Sequence, residues 1–308
     1  MPHAFAPPAA IAQLAAPPAW QAVDFIADLH LNPAEPATVA AWQRYMLGTA
    51  ASAVFILGDL FEAWVGDDAA RQPGLEAQCA ATLRAAAARR PVHFMRGNRD
   101  FLVGPAFLAA CGVQDLPDPV TLIFGGQRWL LSHGDALCLD DAPYQQFRQQ
   151  VRQPAWQRQF LARPLAERQA IARHMRGQSS ARQQAMNQWA DVDADAARAL
   201  LAAARAPVLI HGHTHRPASH TLGAGLSRVV LSDWCLDAPA PRAQLYLDEA
   251  DGIITFRPQV EYPERLIDPA SQELRLQTTA DGDYHQLPRD TALETRLLDT
   301  LRDLHPAF

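Results

Sequence analysis

Val208-Leu209-Ile210-His211-Gly212-His213-Thr214-His215 places three histidines within five residues, directly after a β-branched and aliphatic run. That order reads as a buried strand ending in a tight loop. His213 and His215 are two apart, so on extended backbone they face the same way. Gly212 permits the turn and a close backbone approach, and Pro217 closes the segment. Neutral imidazole is the commonest protein metal ligand, so the loop reads as half of a metal site.

Matching pieces lie upstream. Val23-Asp24-Phe25-Ile26-Ala27 runs into Asp28-Leu29-His30, and Val54-Phe55-Ile56-Leu57 ends at Gly58-Asp59. A helical Ala-rich stretch at about residues 75–89 leads to Val92-His93-Phe94-Met95, which ends at Gly97-Asn98-Arg99-Asp100. Trp129-Leu130-Leu131-Ser132 ends at His133-Gly134-Asp135. Any one of these is an ordinary loop. All five together, each delivering Asp, Asn or His at the carboxyl end of an apolar strand, predict an α/β protein with its ligand site outside those strand ends. Oxygen and nitrogen donors from five loops suit two divalent cations, which one carboxylate can span when they lie about 3.5 to 4 Å apart. Without thiolate the set excludes a zinc-finger type of site, but it does not choose among Mn, Fe, Co and Zn. His211 either orients a ligand or packs in the loop.

Composition narrows the class. The chain has 308 residues, 49% hydrophobic and 19% charged, as a globular protein with one large core would have. No apolar run reaches the roughly 18 to 20 residues of a membrane span. A net charge of −6 gives no general reason to bind nucleic acid, and a nuclease would show a basic track with aromatic platforms. Cys79, Cys111, Cys138 and Cys235 lack a C-x-x-C pattern and read as reduced cysteines of a cytosolic protein.

The ordered motif set resembles the calcineurin-like metallophosphoesterases over roughly residues 23–236. The resemblance implies an αββα sandwich with a helical lid insertion. The motifs Asp28-Leu29-His30-Leu31, Gly58-Asp59-Leu60-Phe61-Glu62-Ala63-Trp64 and Gly97-Asn98-Arg99-Asp100-Phe101-Leu102, with His133-Gly134-Asp135, Asp140-Asp141 and residues 211–217, look like the UDP-2,3-diacylglucosamine diphosphatases of lipid A biosynthesis. That branch implies attack at the UDP α-phosphorus, giving UMP and the lipid 1-phosphate. It also implies two divalent ions, Mn2+ first among them, and a cytoplasmic protein held peripherally on the inner membrane. The partners it implies are a nucleotide-activated glycolipid and the membrane surface.

By the family pattern one ion takes Asp28, His30, Asp59 and His215, and the other takes Asp59, Asn98, His133 and His213. Asp59, Asn98, Arg99 and His213 then carry catalysis, and Asn98, Arg99, Asp141, Ser179, Arg182 and His213 contact substrate. After Ser179 the family offers an Asn and a Lys at short spacing, whereas this chain reads Ser180-Ala181-Arg182-Gln183-Gln184-Ala185-Met186-Asn187, one residue shorter. Many metallophosphoesterases carry His after the Gly-Asn pair. Arg99 stands there instead, a group that forks hydrogen bonds onto phosphate and shuttles no proton. That suits a phosphate monoester leaving group, whose second pKa of about 6 makes it stable without protonation.

Four further expectations concern organisation. Residues 1–20, rich in Ala and Pro, read as a flexible extension ahead of a domain at 21–258. Between about 137 and 190 the strand pattern stops. Tyr144, Phe147 and Val151, then Trp156, Phe160, Leu161, Leu165, Ile171 and Met175, make an apolar helical face among arginines that meet either lipid headgroups or solvent. Arg228-Val229-Val230-Leu231, Ala243-Gln244-Leu245-Tyr246-Leu247 and Ile253-Ile254-Thr255-Phe256 should form the second sheet. The tail 259–308 reads as irregular except for a short helix on Leu293, Leu297, Leu298, Leu301 and Leu304.

Overall fold

A computed structural model describes residues 5–185 and 191–235, and strands at 243–248, 254–258, 274–278 and 284–286. In chain order the first half holds Ala12–Ala15 (β1), Ala22–Ile26 (β2), Pro36–Gly48 (α1), Ala53–Leu57 (β3), Leu75–Ala87 (α2), Val92–Met95 (β4), Pro105–Cys111 (α3), Gln114–Leu116 (β5), Val120–Phe124 (β6) and Gln127–Ser132 (β7). The inserted stretch forms three helices, Ala142–Val151 (α4), Pro154–Leu161 (α5) and Leu165–Ala185 (α6). Then come Ala194–Ala204 (α7), Val208–His211 (β8), Ala218–Gly223 (β9), Leu226–Val230 (β10), Ala243–Asp248 (β11), Ile254–Pro258 (β12), Leu274–Thr278 (β13) and Tyr284–Gln286 (β14).

The strands make two sheets, ordered β1-β6-β7-β8-β10-β9 and β14-β13-β12-β11-β2-β3-β4-β5. Alternation along each strand assigns the layers, because successive side chains leave a strand on opposite faces. Ala53, Phe55 and Leu57 of β3 join Trp129 and Leu131 of β7 and Val208 and Ile210 of β8 in the core between the sheets. Val54 and Ile56 face the other way, against Trp42, Met46, Leu83 and Phe107 of α1 to α3. Leu130 and Leu209 face outward on the second sheet, against Leu200 and Leu201 of α7. The result is an αββα sandwich.

The ligand-bearing strands divide between the sheets, β2, β3 and β4 in one and β7 and β8 in the other. Several expectations are corrected here. The stretch read as flexible supplies β1, which pairs parallel with β6 from Ala12 opposite Val120 to Ala15 opposite Ile123. An otherwise open β6 edge gains a partner. Nor do the three late strands form a second sheet together. β10 pairs with β8, whereas β11 pairs antiparallel with β2, Leu245 opposite Phe25, and β12 pairs with β11. The tail read as irregular adds β13 and β14 to that same sheet. The helix expected on Leu293 to Leu304 lies outside the described residues.

His93 on β4 faces the inter-sheet core. Its ring stacks on Phe55 at 4.5 Å and 7° and meets Trp20 edge-on at 6.0 Å, and its buried Nε2 has no hydrogen-bond partner among the described residues. Burial holds its pKa down at about 4, against 6.5 for an ordinary histidine. A depressed histidine stabilises the fold fully above pH 6.5 and loses that contribution as pH falls through 4, on the order of 3 kcal/mol in all. In urea titrations from pH 7 to 4, His93→Phe therefore loses less stability than the parent. Identical pH slopes in both proteins would show that His93 does not stay neutral.

Candidate metal centre

The carboxyl ends of β2, β3, β4, β7 and β8 converge, and the donors expected from them meet. His30 Nε2 lies 3.1 Å from His215 Nε2, and His215 Nε2 lies 3.5 Å from Asp28 Oδ1. Asn98 Oδ1 is 2.9 Å from His133 Nε2 and 2.8 Å from His213 Nδ1. Asp59 stands between the two groups, with Oδ2 at 4.0 Å from His30 Nε2 and Oδ1 at 3.7 Å from His133 Nε2.

Acceptors behind the rings decide what these distances mean. His30 Nδ1 lies 3.0 Å from Glu62 Oε2, His133 Nδ1 is 2.9 Å from the Leu57 carbonyl, and His215 Nδ1 lies 3.6 Å from Asp233 Oδ2. The His133 contact is a hydrogen bond that turns its Nε2 inward, and the His30 and His215 contacts are carboxylates set beside the rings. Protons hold part of the cluster together: against burial, the Asp28 carboxylate raises the pKa of His215, and His133, with its pKa raised to about 9, donates from Nε2 to the Asn98 oxygen. The buried Asp28 Oδ1 faces His215 and makes no hydrogen bond within 3.5 Å of good geometry among the described residues. Asp28, His30 and His215, and Asp28, Asp59 and His133, each bring ligand atoms within 4.8 Å of one another, so the oxygen and nitrogen donors present fit a pair of divalent cations.

The four imidazoles fall into two electrostatic classes, His30 and His213 lowered and His133 and His215 raised. Burial lowers the pKa of His30 to about 4, against the opposing Asp59 carboxylate, and burial with a cationic His133 lowers His213 to about 3. Both stay neutral, as ligands must. At His133 burial is outweighed by the carboxylates of Asp59, Asp135 and Asp28, which raise it to about 9. A cation in the same field competes for that lone pair.

Backbone geometry sets these donors apart. Asp28, His30, Asp59, His213 and His215 have φ of 55, 49, 55, 69 and 53°. Only Arg205 and Ala224 share that left-handed region among the other described non-glycine residues. Each such residue costs of order 1 to 3 kcal/mol, tolerated where neighbours over-determine it. Asp100, quoted within its motif but given no role by sequence reasoning, is one such neighbour. Its carboxylate accepts from Leu60 N at 2.8 Å and Gly97 N at 2.8 Å, binding the β3 and β4 loops together. Gly97 and Gly212 allow the close approach, since a Cβ at either would land on the carboxylate of Asp59 or Asp28 respectively.

The other expected contacts are placed as follows. Arg99 N donates to Asp59 Oδ1 at 2.8 Å, and its buried Nε has no partner among the described residues. Asp141 caps α4, accepting from Tyr144 N at 3.0 Å. Ser179 and Arg182 lie on α6, and their side chains fall outside the described residues. Asp135, also given no role by the sequence, anchors the insertion: its Oδ2 accepts from Arg148 Nε at 2.8 Å and Tyr144 Oη at 2.6 Å, with Arg152 at 3.3 Å. The Tyr144 ring stacks on His213, and Arg152 also donates to the Gly97 carbonyl at 3.1 Å. Farther along, Arg168 of α6 pairs with Asp68 and the Val65 carbonyl. The insertion is thus pinned to the loops after β7, β4 and β3.

The sequence model of the calcineurin-like phosphoesterase family matches residues 22–217. A UDP-2,3-diacylglucosamine hydrolase of Chromobacterium violaceum is 52% identical over 222 residues, covering 69% of this chain and 90% of that protein. The protein of the same name from Bordetella pertussis is 46% identical over 247 residues, covering 78% and 94%. That from Stenotrophomonas maltophilia is 46% identical over 223 residues, covering 68% and 90%.

Proposed function

Since the chain belongs to the calcineurin-like phosphoesterase family, we propose that it hydrolyses UDP-2,3-diacylglucosamine at the α-phosphorus, releasing UMP and 2,3-diacylglucosamine 1-phosphate. The observation that carries this reading is the convergence of seven oxygen and nitrogen donors from five strand ends beside the Arg99 guanidinium, whose Nε has no partner among the described residues. Relatives of that name at 46 to 52% identity select the substrate.

Two divalent cations, Mn2+ by preference, would neutralise phosphate charge and activate water there. Asp28, His30, Asp59 and His215 would hold one, and Asp59, Asn98, His133 and His213 the other. The chain's own groups bind and orient. Arg99 offers its free donor to the diphosphate, and a guanidinium grips two phosphate oxygens at once. The leaving sugar phosphate needs no proton, so no general acid is required at position 99. Asp141, Ser179 and Arg182 would contact the substrate from the insertion.

The insertion shelters the acyl chains and meets the membrane surface. Of the large apolar side chains exposed among the described residues, Leu161 (40%) and Met175 (37%) lie on α5 and α6, with Leu47 the third. Arg158 and Arg163 flank Leu161, an arrangement suited to anionic headgroups. No helix among the described residues is long and apolar enough to cross a membrane, and peripheral attachment to the cytoplasmic face fits that.

Hydrolysis in ¹⁸O-water tests the reading. Attack at the α-phosphorus puts the label in UMP and leaves the lipid phosphate unlabelled, as mass spectrometry reads directly. Label in the lipid product overturns the α-phosphorus assignment, and no turnover with Mn2+, Mg2+, Co2+ or Zn2+ overturns the substrate.

A further inference from the structure

His211 is the histidine of the 211–215 stretch that the ligand set leaves out. It closes β8, is buried, and pairs through its backbone with Ser132 on one side and Val230 on the other. Its Nδ1 lies 2.8 Å from the Gly212 carbonyl oxygen, and its Nε2 lies 3.4 Å from Arg228 Nη1. A guanidinium only donates. Nε2 is therefore the acceptor, and the ring proton sits on Nδ1, where it donates to Gly212.

That carbonyl also accepts from Thr214 N at 2.8 Å, while Gly212 N donates to the His133 carbonyl at 3.1 Å and His213 N donates to Asp28 Oδ2 at 2.8 Å. Two donors on one oxygen fix the turn in which His213 and His215 hold their left-handed backbone. Arg228, on β10, is held in turn. It forks onto Asp191, with Nη1 at 3.1 Å from Oδ1 and Nη2 at 2.9 Å from Oδ2. Asp191 stands where the helical insertion rejoins the core, since Asp193 N donates to the Leu137 carbonyl at 2.9 Å.

We propose that His211 is a positioning residue for the turn carrying His213 and His215, with Arg228 keeping its proton on Nδ1 and the Arg228–Asp191 fork tying that turn to the root of the insertion. The inference rests on the two-ion reading of the site. It touches neither the identity of the substrate nor the point of attack. Packing alone would ask of position 211 only volume, whereas this role asks for a donor aimed at Gly212.

The test uses the full chain with His211→Leu, His211→Asn and Arg228→Met. Each protein is stripped of metal, checked by circular dichroism, and titrated with Mn2+ while electron paramagnetic resonance counts the free ion. Long-range ¹⁵N–¹H spectra of the metal-free proteins read the His211 tautomer. We expect His211→Leu to bind Mn2+ about 10- to 100-fold more weakly, the scale for partners that orient ligands. His211→Asn, whose amide supplies a donor near the place of Nδ1, stays close to the parent. Arg228→Met admits the Nε2–H tautomer and weakens binding less than His211→Leu does. Parent-like Mn2+ binding by His211→Leu, equal losses in Leu and Asn, or an Nε2–H tautomer in the parent overturns the proposal. If His211→Leu does not fold, Arg228→Met decides: an unchanged tautomer there overturns it. A parent protein that binds no Mn2+ overturns the two-ion reading itself.

Discussion

Alanine at position 59 removes turnover, with an expected loss in kcat/KM of at least about 10³-fold, or roughly 4 kcal/mol of transition-state stabilisation. Residues that merely orient a ligand cost about 10 to 100-fold. Asp59 should cost more because its two oxygens face different groups, His133 on one side and His30 on the other. Asp59→Asn separates chemistry from architecture. Asparagine tolerates left-handed backbone and keeps an oxygen for Arg99 N, yet it carries no charge to share between two cations. Both variants should melt near the parent temperature and both should be inactive. Near-parent activity with a full metal complement in either would overturn the bridging role.

Substitution of Arg99 changes which bonds the enzyme breaks. Its backbone is pinned at both ends, N–H donating to Asp59 Oδ1 at 2.8 Å and the carbonyl accepting from Trp64 N at 3.0 Å. Side-chain changes therefore leave the loop in place. Arg99→Lys keeps the charge and loses the fork, and diphosphate hydrolysis should fall about 10- to 100-fold, as expected for two charge-assisted hydrogen bonds reduced to one. Arg99→His places a titratable donor beside the scissile bond and should shift relative activity toward diesters with poor leaving groups, most visibly below pH 7. Assays of both variants on the diacylglucosamine nucleotide and on an alkyl phosphodiester across pH check this. Unchanged diphosphate turnover in both removes the clamp, and efficient parent cleavage of the alkyl diester removes the leaving-group argument.

What the chain discloses by inspection depends on how local the cause is. Val54-Phe55-Ile56-Leu57 is apolar throughout because β3 is covered on both faces, and its chemistry begins where the strand stops. The seven donors were legible for that reason. Strand pairing was not. β7 meets β8 only after the chain has passed through the whole insertion, and nothing in Trp129-Leu130-Leu131 says which strand will lie beside it. Ala12-Gln13-Leu14-Ala15 has little strand preference of its own and becomes β1 by borrowing the edge of β6. α1 did carry a signal, Pro36 at its start and Val39, Trp42 and Met46 on one face, hidden among small residues. The groups behind the histidines, Glu62, Asp233 and the Leu57 carbonyl, gain meaning only when the loops close.

The left-handed backbone at Asp28, His30, Asp59, His213 and His215 bears on how such a chain drifts. Glycine or asparagine would sit more comfortably at every one of these positions. A descendant released from metal binding would thus shed backbone strain with each replacement by asparagine, which still offers an oxygen to the His213 and Arg99 amides, and mutation would erase the carboxylates and imidazoles before it disturbed the sheets. Decay of this kind runs downhill in energy and leaves the sandwich standing.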